Sequence, residues 1–256
     1  MPFQKIESTK ISESVVRQIE QLILRGILRP GERLPSERDL SEKLAVSRPS
    51  LRHALAELQN MELLTTRAGA GIFVAEVLGQ TFSPSLIRLF STYDEAVYDY
   101  LLLRKDLEGL AANRAARFGS DTDLKVIDTL YQKMEALKAG RPSDEEAQLD
   151  AQFHMSIFEA SHNVVMLHMM RSMYDLLQAG VFYNRQATFK QSTGRTALLD
   201  QHREINAAVQ AREPDAARAA VHAHLDYVTE VLRDQTRADN NEETAKLRYK
   251  KLKFSK

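Results

Sequence analysis

The sequence predicts a mainly α chain in two parts, three helices closed by a short β-hairpin and then an all-α helical bundle. Three observations carry this. Residues 36–55, SERDLSEKLAVSRPSLRHAL, hold two short helical patterns around a tight turn. Residues 63–74 hold two four-residue strand patterns on either side of a glycine-bearing tip. Beyond a Gly-, Ser- and Pro-containing stretch at 76–85, strand signals nearly vanish and Ala and Leu dominate.

From the N-terminus, Val15, Val16, Ile19, Leu22 and Ile23 form the apolar stripe of a first helix over 11–28, ended by the turn signal Arg29-Pro30-Gly31. Ser36 can cap the second helix, with Asp39 as a partial capping box, and Ser47 can cap the third. Pro49 falls in a first turn, where a missing N–H costs nothing. Leu51, Ala54, Leu55 and Leu58 mark the buried side of that third helix, while Arg48 and Arg52 lie beside the stripe, one turn apart, and can face outward. Leu63–Thr66 and Gly71–Val74 then read as strands joined by Arg67-Ala68-Gly69-Ala70.

Helix, helix, outward-facing arginine helix and hairpin make a winged helix-turn-helix. Such a third helix suits the DNA major groove, where an arginine fork pairs with guanine acceptors or clamps a phosphate. A wing with Arg67 and a bare Gly69 tip suits the adjacent minor groove. The segment LRPGERLPSERDLSEKLAVSRPSLRHALAELQNMELLTTRAGAGIFV resembles the DNA-binding domain of the GntR family of bacterial transcription regulators, most specifically in PGERLPSER and VSRPSLR. The resemblance implies DNA contacts at Arg38, Arg48, Ser50 and Arg52, with Gly69 at the wing tip. His53 stands where the family usually has an acidic residue and Ile72 where it usually has threonine; both bear on operator sequence rather than on DNA binding.

Composition is compatible with this. The 256 residues suffice for two domains, and the formal net charge of zero hides a local basic face. Residues 1–78 hold 11 Lys and Arg against 10 Asp and Glu, yet Arg38, Lys43, Arg48, Arg52 and Arg67 cluster in the reading segment. Cysteine is absent, which excludes disulfides and thiolate metal sites. No leader and no apolar run long enough for a bilayer is present, so a soluble cytoplasmic protein without a membrane partner is expected.

The domains are expected at 1–75 for the DNA reader, 76–85 for a linker, 86–237 for the helical domain and 238–256 for a basic tail. Helices are predicted at about 86–91, 94–117, 121–139, 144–161, 164–189, 196–211 and 214–237. Lys246, Arg248, Lys250, Lys251, Lys253 and Lys256 close the chain with no acid among them, a pattern that favours a solvated, disordered tail.

Four residues of the helical part point to a metal. Asp150 and His154 are four apart and project from one helix face. His202 lies on the stripe of Leu198, Leu199, Ile205 and Val209. His224 continues the spacing of Ala217, Val221, Val228 and Val231 where an apolar residue belongs, whereas His222 faces away. Three imidazoles and a carboxylate inside a bundle suit a divalent ion, with zinc first and nickel or another ion as alternatives.

Residues 95–235 resemble the ligand-binding (FCD) domain of the FadR-type branch of the same family, whose metal-binding members carry Asp-x-x-x-His and two later histidines. The match falls on Asp150, His154, His202 and His224, and EASHNVVMLHMMRSMYD resembles pyruvate dehydrogenase repressors and lactate- and glycolate-responsive regulators. His162 and His168 match no metal position and are expected to be structural. Arg104 matches the arginine of the family's Arg-x-x-Leu-Glu helix; it either holds an effector carboxylate or pairs with Glu108 four residues on.

The expected function is a bacterial transcription regulator, a repressor by the commonest family pattern. It would be a homodimer on an inverted-repeat double-stranded DNA operator, modulated by a small organic acid. A metal-responsive regulator is the alternative, and a metal-dependent hydrolase or lyase a more distant one, since no HExxH or comparable motif is present.

Overall fold

Two serine caps organise the first unit. In the computed structural model, which describes residues 9–75, 84–137, 144–178 and 192–254, α1 (Thr9–Leu24) precedes α2 (Glu37–Leu44) and α3 (Arg48–Asn60). Ser36 Oγ accepts from Asp39 N at the start of α2, and Ser47 Oγ accepts from Ser50 N at the start of α3, with Pro49 in the first turn. The turn between them closes on Ala45 in the left-handed region, φ 52°. Val15, Val16, Ile19 and Ile23 of α1 bury against Leu51, Ala54, Leu55 and Leu58 of α3.

One expectation is corrected here. The first helix stops at Leu24 and not at 28, because Gly26 takes φ 71° and the N–H groups of Gly26 and Ile27 turn back to the carbonyls of Ile23 and Leu22. Arg29-Pro30-Gly31 instead turns the chain toward the wing.

The wing pairs β1 (Leu64–Arg67) antiparallel with β2 (Gly71–Val74), in the register Leu64 to Val74 and Arg67 to Gly71. Residues before α2 add to its other edge. Leu34 N donates to Ile72 O and Val74 N donates to Glu32 O, so Arg33 lies opposite Phe73. The tip closes with Ala70 N donating to Arg67 O, and Gly69 has φ 71°. A side chain at that φ is strained.

The chain divides into two compact units, Met1–Thr81 and Phe82–Lys256. Within the second, the described helices are α4 (Pro84–Thr92), α5 (Asp94–Phe118), α6 (Asp121–Leu137), α7 (Asp144–Ala160), α8 (Val164–Gln178), α9 (Ser192–Gln210) and α10 (Pro214–Phe254). Most of the expected linker, 76–83, lies outside the described residues, as does the end of the helix expected over 164–189.

Small residues set how closely these helices approach. Ala111, Ala112, Ala115 and Ala116 of α5 are fully buried, and a Cβ at Gly109 would collide with His222 Nε2 of α10. α5 packs on α10 and α7, α9 on α10 and α6, and Phe153, Phe158, Ile127, Ile205 and Leu225 fill the space between them.

The last helix departs from expectation: it continues through 238–254 in place of a disordered tail. Ala, Glu, Leu and Lys are strong helix formers, Lys246 pairs with Glu242 one turn back, and Lys251 and Lys253 sit at the negative end of the helix dipole. Residues 237–253 are exposed all along, so the extension buries no core.

Candidate metal centre and DNA interface

Three helices bring the four predicted metal residues together. Asp150 and His154 come from α7, His202 from α9 and His224 from α10, and all four are buried. His154 Nε2 lies 3.2 Å from His202 Nε2, and Asp150 Oδ1 lies 3.3 Å from His202 Nε2 and 3.9 Å from His154 Nε2. One ligand atom from each of the three histidines falls within 4.8 Å of the others. Phe153 packs edge-on against His154 and His202, which restricts both rings.

This donor set fits a divalent cation. Two nitrogens held about 2.0–2.1 Å from a tetrahedral ion lie roughly 3.3 Å apart, close to the observed separation. Burial, and then the neighbouring His202 and His154, hold the His224 imidazole well below its usual pKa, so it is in the neutral ligand form. Asp150 would supply an anionic donor beside the three rings.

Two further side chains support the rings from outside. Glu108, on α5 and fully buried, places Oε2 2.8 Å from His154 Nδ1 while Oε1 accepts from Arg104 Nε. Burial pushes the Glu108 carboxyl up, but the Arg104 charge and the His154 contact outweigh it and bring it to about 2. On α9, Gln201 Oε1 lies 3.0 Å from His224 Nδ1. Of the two roles left open for Arg104, its Nε is engaged in the ion pair.

The remaining histidines of the unit lie outside the cluster. His222 is half-buried over Gly109. His162 ends α7 at φ 51° and meets Asp123 Oδ2 at 2.9 Å, tying that corner to the start of α6. His168 is half-buried on α8.

In the first unit, Arg48 and Arg52 are exposed on α3, as expected from the stripe beside them. Ser50 is partly committed to the cap, with its Oγ 2.8 Å from Ser47 Oγ. Arg38 pairs with Glu42 one turn on. Arg52 Nε donates to Glu37 Oε2 at 2.7 Å. Arg67 lies over the Phe73 ring, 4.4 Å from its centre, and open space surrounds the Gly69 tip. A groove of about 590 Å³ runs between α3 and the wing, lined by Arg33, Arg52, Gln59, Thr66, Arg67 and Gly69 among others.

Sequence reasoning missed Glu37, Glu108 as a partner of His154, and Gln201. Only Glu108 gave a local signal, its spacing from Arg104.

Known proteins agree with both halves. Residues 11–74 match the model for bacterial regulatory proteins of the gntR family, and residues 99–227 match the FCD domain. The chain is 37% identical over 233 residues to the Glc operon transcriptional activator of Escherichia coli, covering 90% of this chain and 92% of that protein. It is 34% identical to the putative L-lactate dehydrogenase operon regulatory protein of Escherichia coli, covering 86% and 85%. It is 32% identical to the regulator LutR of Bacillus subtilis, covering 82% and 96%. Among solved structures, a GntR protein of Streptococcus agalactiae superposes with TM-score 0.52 at 26% identity, over 86% of this chain and 99% of that one. The chain belongs to the GntR family of bacterial transcription regulators, with an FCD domain following its winged helix-turn-helix, and is a DNA-binding regulator rather than an enzyme.

Proposed function

We propose that this regulator binds an inverted-repeat operator as a twofold dimer in the cytoplasm, and that a small carboxylate in its FCD domain changes operator affinity. Arg48, Arg52 and Ser50 face the major groove with Arg38 nearby, and Arg67 and Gly69 enter the minor groove. Asp150, His154, His202 and His224 hold a divalent cation, zinc as first candidate, which supplies positive charge and open coordination for the carboxylate.

The observation that carries this reading is the buried three-histidine cluster with Asp150 beside it, in a domain whose chain begins with a DNA reader. Relatives named for the Glc operon and for an L-lactate dehydrogenase operon support small hydroxy and keto acids as the class of ligand. Among the described residues no helix is long and apolar enough to cross a membrane. Arg104 belongs to the site through its ion pair with Glu108.

The sign of regulation is proposed as repression relieved by ligand. A reporter gene read with and without both the protein and the acid tests it: expression that is high without the protein and, in its presence, rises only with the acid supports repression, and expression requiring the protein reverses the sign. Operator anisotropy at fixed metal, titrated with lactate, glycolate or pyruvate, tests the ligand class. No response to any of them, with a response to the ion alone, would make the ion the signal.

A further inference from the structure

We infer that Glu108 and Gln201 are positioning residues of the cation centre, holding Nδ1 of His154 and of His224 so that Nε2 of each ring is the ligand atom. The inference rests on the metal reading above and names residues outside the four ligands.

An imidazole offers two nitrogens, and which one binds an ion is set by what the other one meets. For His154 the geometry is one-sided. Its Nδ1 lies 2.8 Å from Glu108 Oε2, and its Nε2 is the atom 3.2 Å from His202 Nε2. The 2.8 Å contact is close, although its angles fall outside those of a regular hydrogen bond; a carboxylate held by a guanidinium is an acceptor, so it favours the proton on Nδ1 and leaves the lone pair on Nε2 turned inward. Arg104 Nε fixes Glu108 from the same α5 helix, and both side chains are buried. Glu108 therefore cannot swing to solvent, and the His154 ring cannot turn without losing it.

His224 repeats the arrangement with a neutral partner. Gln201 Oε1 lies 3.0 Å from its Nδ1, and Gln201 precedes the ligand His202 on α9. One turn of α9 thus supplies a ligand to the centre and a support to the ligand opposite. Removing such supports weakens metal binding by about 10- to 100-fold while the ligands themselves remain.

The test is zinc affinity of the full-length protein by chelator competition, for wild type, Glu108→Gln, Gln201→Leu and Gln201→Glu. Nitrogen-15 spectra of the histidine rings are recorded on each zinc-loaded protein, and circular dichroism checks the fold. Gln201→Leu is expected to bind about 10- to 100-fold more weakly, and Glu108→Gln to bind more weakly by a smaller factor, because an amide oxygen still accepts from Nδ1 but lacks the carboxylate's charge. Gln201→Glu is expected to bind at least as tightly as wild type, because a carboxylate also accepts from Nδ1; packing alone would not give that rescue. Wild-type spectra should show Nδ1 protonated and Nε2 metal-bound in His154 and His224. If Glu108→Gln fails to fold, the two Gln201 variants and the spectra still decide. Unchanged affinity in the weakened variants, or an ion on Nδ1, overturns the inference. Wild-type protein that takes up no zinc overturns the metal reading itself.

Discussion

Arg52 Nε donates to Glu37 Oε2 at 2.7 Å, joining α3 to α2 across 15 residues of sequence. The pair is exposed, with side chains 68% and 39% accessible, so by itself it adds little stability. Its consequence is directional. A guanidinium held on one side presents its remaining donors in a narrower range of directions, which favours a base edge over any nearby phosphate.

Arg52→Ala should therefore cost about 1–3 kcal/mol of operator affinity, with Arg48→Ala in the same range, while the fold is unchanged. Glu37→Gln should act differently. Affinity for random DNA rises and the ratio of operator to random binding falls, because the arginine is released and a negative charge is removed. Anisotropy titrations on both DNAs read this, and an unchanged ratio would show that Glu37 does not orient the arginine.

At the wing, Gly69 has φ 71° and open space around it. Gly69→Glu adds backbone strain and sets a carboxylate at the tip, so operator binding should fall at low salt. Gly69→Asn tolerates the left-handed backbone and adds no charge, so it should fall less. Equal losses from the two would place the wing away from phosphate.

The histidine assignments make a contrast of near neighbours. His224→Ala should take up no divalent ion, and His222→Ala, two residues away over Gly109, should take one up as the wild type is expected to. Elemental analysis of the purified proteins gives the answer. Loss from both would mean that α10 faces the centre differently.

Acid should loosen the helical domain once the ion is chelated away. The folded pKa of His224 is held well below 6.5 by burial and the two adjacent histidines, so the unfolded chain binds the extra proton first. This contribution to stability is present above about pH 6.5 and is lost as pH falls below it, by up to about 1.4 kcal/mol per pH unit for one such group. Thermal unfolding of chelated wild type at pH 7.5 and 5.5, against His224→Leu, should show a smaller pH dependence in the variant.

Much of this architecture was legible in order. Ser36 and Ser47 announce their helices locally, and the spacing of Ala217, Val221 and Val228 turns His224 inward. Turn signals compete, however, and Gly26 ended α1 before the stronger-looking Pro30-Gly31. The extension of α10 was missed because a polar helix without a buried stripe looks like a solvated tail; its support includes helix propensity, the Lys246–Glu242 pair and Lys253 over the Tyr249 ring. Gln201 and Glu108 escaped because their partners are 23 and 46 residues away, a distance only the packing of α9 on α10 and of α5 on α7 closes.

The central claim is that a carboxylate reaches the operator through the metal-bearing bundle. Calorimetry of lactate, glycolate or pyruvate on metal-loaded protein, on chelated protein and on Asp150→Ala, paired with operator titrations of the same samples, tests it most directly. Binding should occur only in the loaded wild type and should move the operator dissociation constant roughly 5- to 150-fold, the range of a coupling energy of about 1–3 kcal/mol. Equally tight carboxylate binding to the chelated protein, or binding with no change in operator affinity, would contradict the account.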